Sequence, residues 1–231
     1  KDILLQLFPA TLELSLAALV ISTVLGSILG ILSALKKGSI GDNALTVLGM
    51  IGVSIPQFFF GMLCILVFAL DWAILPIGGR MAPGESGIWA HFKYLILPAS
   101  VLGISLTAGV MRYSRSSMLD TMNKDYIKTA RAKGLKTGKI IFKHALRNGV
   151  IPVITYLGPL TAFTLVGGFV VETVYTIPGL GRYLVQSVQN RDYFIIMGTT
   201  IFLATLVVIM NLVVDILYRV VDPRIDLTKG E

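Results

Sequence analysis

The sequence predicts an all-α integral membrane protein. Of its 231 residues, 55% are hydrophobic and only 14% carry a charged side chain. The mean hydropathy of +0.79 is a value that a water-soluble domain with an ordinary polar surface seldom reaches. Five long segments also contain no Asp, Glu, Lys or Arg. The composition and these uncharged segments together indicate helices that cross a lipid bilayer.

The five uncharged segments predict five membrane-spanning helices in one domain, residues 1–231. Each is close to, or longer than, the roughly 18 to 20 apolar residues that cross a bilayer as a helix. Strands of a membrane barrel would be shorter and would alternate apolar with polar residues, so we expect helices. The segments comprise residues 14–35, 43–70, 94–111, 148–171 and 193–214.

Lys and Arg are concentrated on one side of these predicted spans. The inner side, 36–42, 112–147 and the C-terminal tail, has 15 of them, and the other side has 5. Because Lys and Arg accumulate in cytoplasmic loops, we expect the C-terminus in the cytoplasm and outer loops at about 71–93 and 172–192. The first residue, Lys1, then lies outside, so we expect a sixth, N-terminal span to precede this sequence.

The segment "DYIKTARAKGLKTGKIIFKHALRNGVIP", residues 125–152, holds much of the positive charge and predicts a helical hairpin. Its first part favours a short helix that ends at Gly134 in a left-handed cap. Thr137 is expected to cap a second helix, 138–147. Pro152 can begin or kink the next span. We call this region, about 120–149, the basic hairpin.

Four functions compete for the basic hairpin. Contact with lipid headgroups needs only its charge. A phosphate-binding loop is excluded, because the Walker pattern requires Gly where the chain has Lys133 and Ser or Thr where it has Ile140. Nucleic acid is a poor candidate partner, since each helix has a single aromatic residue. Docking to a cytoplasmic protein is the fourth: small Ala130 and Gly134 permit close backbone approach, and Tyr126 offers an anchor.

Several motifs resemble one family of membrane proteins. "YIKTARAKGLKTGKIIFKHALRNGVIP" resembles the EAA loop of permease subunits in binding-protein-dependent ABC importers: Glu-Ala-Ala, three residues, Gly, then an apolar stretch ending in Pro. "SIPQFFFG", "FVVETVYTIPGLGRYLVQSVQNRDY" and "NLVVDILYRVVDPRI" are similar to the dipeptide, oligopeptide and nickel subfamily, in its first-permease branch. The resemblance covers essentially the whole chain. One departure is that Lys128 and Thr129 stand where the general motif has Glu and Ala.

This resemblance implies a type I ABC importer transmembrane domain in a prokaryotic cytoplasmic membrane. The implied function is ATP-driven import of peptides, or of nickel or another small solute. The implied partners are a second permease, two cytoplasmic ATPases and an extracytoplasmic substrate-binding protein. This chain would be non-catalytic and would carry no cofactor, with ATP and Mg²⁺ bound by the ATPases. The residues implied in ATPase coupling are Tyr126, Ala130, Arg131, Gly134 and Leu135.

A second group of residues suggests a transport path or gate. Pro56 bends the second span beside Ser54 and Gln57, which either shapes a gate or serves helix packing. Glu172 lies in the outer loop that, by resemblance, faces the binding protein and the path. Near the inner end of the last span, Asp215 is expected to pair with Arg219 one turn later.

Other classes of function find little support in the sequence. The two histidines, His91 and His144, have no Cys, Asp or Glu at metal-ligand spacing. An intramembrane hydrolase would need His-Glu-x-x-His, Gly-x-Ser-x-Gly or paired aspartates, and none is present in the sequence. A self-sufficient channel is a remaining alternative, although it would not need a docking hairpin.

Overall fold

The uncharged segments form helices long enough to cross a membrane. The computed structural model describes residues 2–81, 84 and 86–221, with side-chain surroundings at all of these positions except 167, 214, 215 and 217–221. Within this range four helices are long and apolar enough to span, and a bent pair, Ile40–Ser54 with Gln57–Asp71, provides a fifth. The predicted all-α membrane fold is confirmed.

Eleven helices follow one another along the described part of the chain. Two segments, Ile65–Asp71 after α3 and Ile140–Ala145 after α6, have the wider π-helical spacing. The helices are α1 (Asp2–Leu35), α2 (Ile40–Ser54), α3 (Gln57–Cys64), α4 (Ile88–Met122), α5 (Asp125–Ala132), α6 (Thr137–Lys139), α7 (Leu146–Gly149), α8 (Ile151–Gly167), α9 (Phe169–Val174), α10 (Leu180–Gln189) and α11 (Tyr193–Val221).

The two longest helices, α1 and α4, pack tightly against each other. Their interface is close because glycines of α1 face the α4 backbone. A Cβ atom at Gly26 would lie 2.6 Å from Val110 Cβ, and one at Gly30 would lie 2.5 Å from the Met111 carbonyl oxygen. Small residues spaced four apart allow membrane helices to approach in this way. This pair forms the centre of the buried apolar core.

The second span is broken at Pro56, as the sequence predicted, and the bend is sharp. Ile55 and Pro56 have extended backbone, with ψ angles of 124° and 133°. The residue before a proline is pushed away from helical geometry, so α2 ends at Ser54. The helix resumes at Gln57 after a bend of 98°. Two half-helices therefore meet near the middle of this span.

The inner and outer ends of α4 extend beyond the uncharged segment. The helix covers Ile88–Met122, whereas the uncharged residues are 94–111. Arg112 and Arg115, which the sequence assigned to a cytoplasmic loop, therefore belong to α4. The predicted Asp215–Arg219 pair and the C-terminal tail, 222–231, lie outside the side chains and residues that the structure describes.

Candidate functional site

The basic hairpin has one apolar face and one charged face. In α5, Ile127 and Ala130 are buried against Met118 of α4 and against Ile140 and Ala145 of the π-helical segment. This packing fixes α5 on the inner end of the membrane domain. The opposite face of the hairpin is exposed and mostly basic, with Lys124, Lys128, Arg131 and Lys133.

The turn that closes α5 depends on Gly134. Its φ is +73°, in the left-handed region, so the predicted cap is confirmed. The Leu135 N–H donates to the Ala130 carbonyl at 3.3 Å, and the Gly134 N–H donates to Arg131 at 2.9 Å. These two bonds define a Schellman motif. Leu135 packs on the apolar cluster of the hairpin, and the turn is thereby fixed.

The second half of the basic hairpin differs from the prediction. Thr137 is the first helical residue rather than the cap, because Lys136 already has the extended backbone of the flanking position, and no side chain caps this end. The helical course then widens to π spacing over Ile140–Ala145. After α7, the chain enters α8 with Pro152 in its first turn, as expected.

The predicted coupling residues do not all lie on the surface. Tyr126 is 42% exposed, and its hydroxyl accepts a hydrogen bond from Asn148 Nδ2 at 2.9 Å. Arg131 and Gly134 are exposed as well. Ala130 was expected to permit close approach of a partner, but its side chain is 7% exposed and faces the chain's own core. Ala130 therefore belongs to the buried apolar contacts that hold the hairpin in place.

A large cavity opens between α2 and α4. It has a volume of about 740 Å³, and its lining includes Lys37, Ser54, Arg112 and Asn123. A second cavity of about 340 Å³ lies between α4 and α8 and is lined by Ser105, Arg112 and other residues. Val53 and Arg112 line both. We call the two together the α4 groove.

One face of α4 lines the whole groove. The lining positions recur every three or four residues, from Ser105 through Arg112 to Asn123. This spacing places them on a single stripe of a helix. At 1.5 Å per residue the stripe is about 27 Å long, and it begins within the uncharged part of α4 and continues past it to Asn123. The stripe therefore lines the inner part of the spanning segment of α4 and its charged inner extension.

Three of the four path candidates lie at this groove. Ser54 lines the large cavity, and Pro56 forms the adjacent helix break. Gln57 Nε2 donates to Ser105 Oγ at 2.7 Å, which ties the start of α3 to the groove face of α4.

The fourth path candidate, Glu172, is fully buried instead. Thr11 Oγ1 donates to Glu172 Oε1 at 2.6 Å, and the Arg182 N–H donates to Oε2 at 2.9 Å. The Leu180 N–H also donates to Thr11 Oγ1 at 2.8 Å. The carboxylate thus joins α1, α9 and the N-terminus of α10, where the helix dipole favours a negative charge. In this structure Glu172 is a positioning group for α10.

Two ionic clusters in the structure were not predicted from the sequence. At the inner end, Asp42 binds Arg115, Ser33 and the Gly38 N–H. At the outer end, Glu13 binds Arg80 at 2.5 Å and His91 at 2.9 Å. The sequence contains one indication of these clusters. Asp42 and Glu13 are acidic residues close to uncharged spans, where a charge usually needs a partner.

Comparison with known proteins gives a consistent result for the chain. The family model described as "Binding-protein-dependent transport system inner membrane component" matches residues 26–227. The dipeptide transport system permease protein DppB of Bacillus subtilis is 42% identical over 229 residues, covering 99% of this chain and 71% of that protein. The oligopeptide transport system permease protein AppB of the same organism is 42% identical over 227 residues, with 98% and 72% covered.

Solved structures agree on the fold. A structure of the MetNI methionine ABC transporter matches with a TM-score of 0.78 at 18% identity, covering 96% of this chain and 97% of that one. An amino acid ABC transporter matches with a TM-score of 0.64 at 16% identity, covering 97% and 94%. This chain therefore belongs to the binding-protein-dependent transport system inner membrane components, the non-catalytic permease subunits of ABC importers.

Proposed function

We propose that this chain forms half of the transmembrane path of a peptide importer. We further propose that ATP hydrolysis by partner subunits moves the basic hairpin and so drives transport. The observation that carries the proposal is that the exposed hairpin packs against α4, the helix that also lines the groove. Motion imposed on the hairpin reaches the groove directly, because α5 packs on the inner end of α4 through Ile127 and Met118.

The hairpin supports docking of a cytoplasmic ATPase. Its charged face is exposed while its apolar face is fixed in the core, so a partner can bind without disturbing the fold. Tyr126, Arg131 and Gly134 are the proposed contacts, with Ala130 and Leu135 supporting them from inside. Rigid-body movement of such an element is a known way to couple a site to a distant domain.

The groove supports a peptide as cargo. Its larger cavity, about 740 Å³, falls in the range of about 300–1,000 Å³ that holds small-molecule ligands. The relatives named above are permeases of dipeptide and oligopeptide transport systems. The larger cavity is lined by three cationic side chains, Lys37, Arg112 and Arg115, and by one carboxylate, Asp120. This excess of positive charge disfavours a free divalent cation, which makes nickel a weaker candidate.

The complete machine requires partners that this chain does not supply. We infer a second permease that closes the groove from the other side, two ATPases that bind ATP and Mg²⁺, and an extracytoplasmic binding protein that delivers cargo. The basic hairpin and the C-terminus then face the cytoplasm of a prokaryotic cell, as the distribution of Lys and Arg predicts.

Uptake by the reconstituted importer tests this proposal. The chain is purified with its second permease and ATPases, placed in vesicles and supplied with its binding protein. We expect radiolabelled dialanine to accumulate only when ATP and the binding protein are both present. Accumulation of radioactive Ni²⁺ but not of dialanine would contradict the proposed cargo. An ion current carried by this chain without its partners would favour a channel.

A further inference from the structure

Arg112 occupies a special position in the α4 groove. Its side chain is exposed and, like Val53, it lines both the 740 Å³ and the 340 Å³ cavities. It lies about 10 Å along the helix axis from Ser105, which bonds the gate candidate Gln57. A solute held in either cavity therefore lies next to this guanidinium.

The charge of Arg112 is available to a ligand. Arg115, one turn later on the same helix, is occupied by Asp42, with an Nη2–Oδ2 distance of 2.7 Å. By contrast, none of the described carboxylates lies within 4 Å of the Arg112 guanidinium. A charged residue at the end of a membrane span normally faces water, a lipid headgroup or a binding partner, and the exposed Arg112 faces the two cavities. Of the two arginines, Arg112 is therefore the one that can bind cargo.

The chemistry of a guanidinium selects the part of the cargo that it contacts. Its planar donors match a carboxylate in a bidentate arrangement. The terminal carboxylate is common to all unmodified peptides, whereas their side chains vary. We propose that Arg112 binds the C-terminal carboxylate of the peptide as it crosses the α4 groove. This inference rests on the proposed peptide cargo and adds to it a specificity-determining residue.

Uptake by charge variants tests the contact. In the reconstituted importer, Arg112→Gln should lower the rate of dialanine uptake by at least about tenfold, the cost of a lost charged hydrogen bond, and Arg112→Lys should retain part of it. Lys36→Gln removes one positive charge from the same inner end, where Lys36 is exposed and lines neither cavity. That control should transport normally. Equal losses in both variants would indicate general electrostatic attraction and would overturn the proposal.

Chemical restoration of the charge separates a ligand contact from a packing role. The only cysteine, Cys64, is buried, so Arg112→Cys in a Cys64→Ala background offers one exposed thiol in this chain. Reaction with an aminoethyl methanethiosulfonate adds an ammonium group and should restore uptake, whereas a sulfonatoethyl reagent should not. The Cys64→Ala chain with native Arg112 receives the same reagents as a control. Failure of the ammonium reagent, together with failure of Arg112→Lys, would contradict the carboxylate contact.

Lipid composition distinguishes cargo from a lipid phosphate as the anion. The Arg112→Gln loss should be the same in vesicles of phosphatidylcholine alone and in vesicles with added phosphatidylglycerol. A loss confined to the anionic vesicles would assign Arg112 to a lipid headgroup and overturn the proposal. Absence of peptide uptake by the wild-type importer would overturn the peptide cargo itself. Normal uptake by both wild type and Arg112→Gln would overturn only the role of Arg112.

Discussion

Arg115 binds Asp42 through two N–H groups, with Nε–Oδ1 at 2.9 Å and Nη2–Oδ2 at 2.7 Å. The Asp42 carboxylate is almost completely buried and also accepts hydrogen bonds from Ser33 and from the Gly38 N–H. One carboxylate thus joins the end of α1, the inner loop, α2 and α4. This cluster holds the two walls of the large cavity together at the inner end.

Asp42→Asn should lower the midpoint of thermal unfolding by several degrees, because Arg115 loses its counter-ion and Ser33 loses a charged acceptor. Arg115→Gln should have a similar effect. The double variant should lose no more than the larger single loss, since the two residues act through one interaction. Asp120→Asn is the matched control, because Asp120 is an exposed acid that lines the same cavity. Additive losses in the double variant would contradict a direct interaction.

Thr11→Val should destabilise the outer end of the protein. The substitution keeps the shape of the side chain but removes the hydroxyl that donates to Glu172 and accepts from the Leu180 N–H. We expect a loss of about 1–3 kcal/mol for each buried group left without a partner. Thr11→Ser keeps the hydroxyl and should behave like wild type. Unfolding in detergent followed by circular dichroism measures both, and an unchanged midpoint for Thr11→Val would disprove the role of this hydroxyl.

Gly179→Ala should also be destabilising, for a steric reason. A Cβ atom at Gly179 would overlap the Glu172 carboxylate, which is held in place by Thr11 and by the N-terminus of α10. The expected cost is about 1–3 kcal/mol, as for other overpacked sites. Gly198→Ala in α11, where an added Cβ meets no atom within 4 Å, should instead stabilise by about 0.5–1 kcal/mol. The same shift in both variants would mean that the crowding at Gly179 has no energetic effect.

Local patterns predicted much of this fold. The uncharged segments predicted the positions of the spans, because the hydrocarbon core of the membrane disfavours charged side chains. Gly134 was predicted as a left-handed cap because the geometry of a Schellman motif depends on neighbouring residues alone. Thr137 was predicted to be the N-cap of the second helix but is its first residue, because Lys136 already adopts the extended backbone of the flanking position.

The remaining features depend on contacts between distant residues. Glu172 looked like a loop residue, but its partner Thr11 lies 161 positions away. Arg112 and Arg115 were assigned to a loop because the predicted span ended with the uncharged segment. The helix itself continues to Met122. Nothing local in the sequence distinguishes the paired Arg115 from the available Arg112. The groove therefore emerged only when α2, α4 and α8 were placed side by side.

The central claim, that the basic hairpin couples ATP hydrolysis to transport, depends most directly on Gly134. Its φ of +73° suits glycine, and an added Cβ there would meet no other atom of this chain, so within the chain a substitution acts through backbone strain. Gly138, four residues later, is equally open but lacks a positive φ, which makes Gly138→Val a matched control. Gly134→Asn is a second control, because Asn tolerates the left-handed region.

The decisive measurement is the number of dialanine molecules imported per ATP hydrolysed in reconstituted vesicles. We predict that Gly134→Val inserts and assembles but imports about tenfold less peptide per ATP, because strain of about 1–2 kcal/mol or more disfavours the native turn. Gly138→Val and Gly134→Asn should keep nearly the wild-type ratio. A wild-type ratio in Gly134→Val would contradict the coupling role of the basic hairpin.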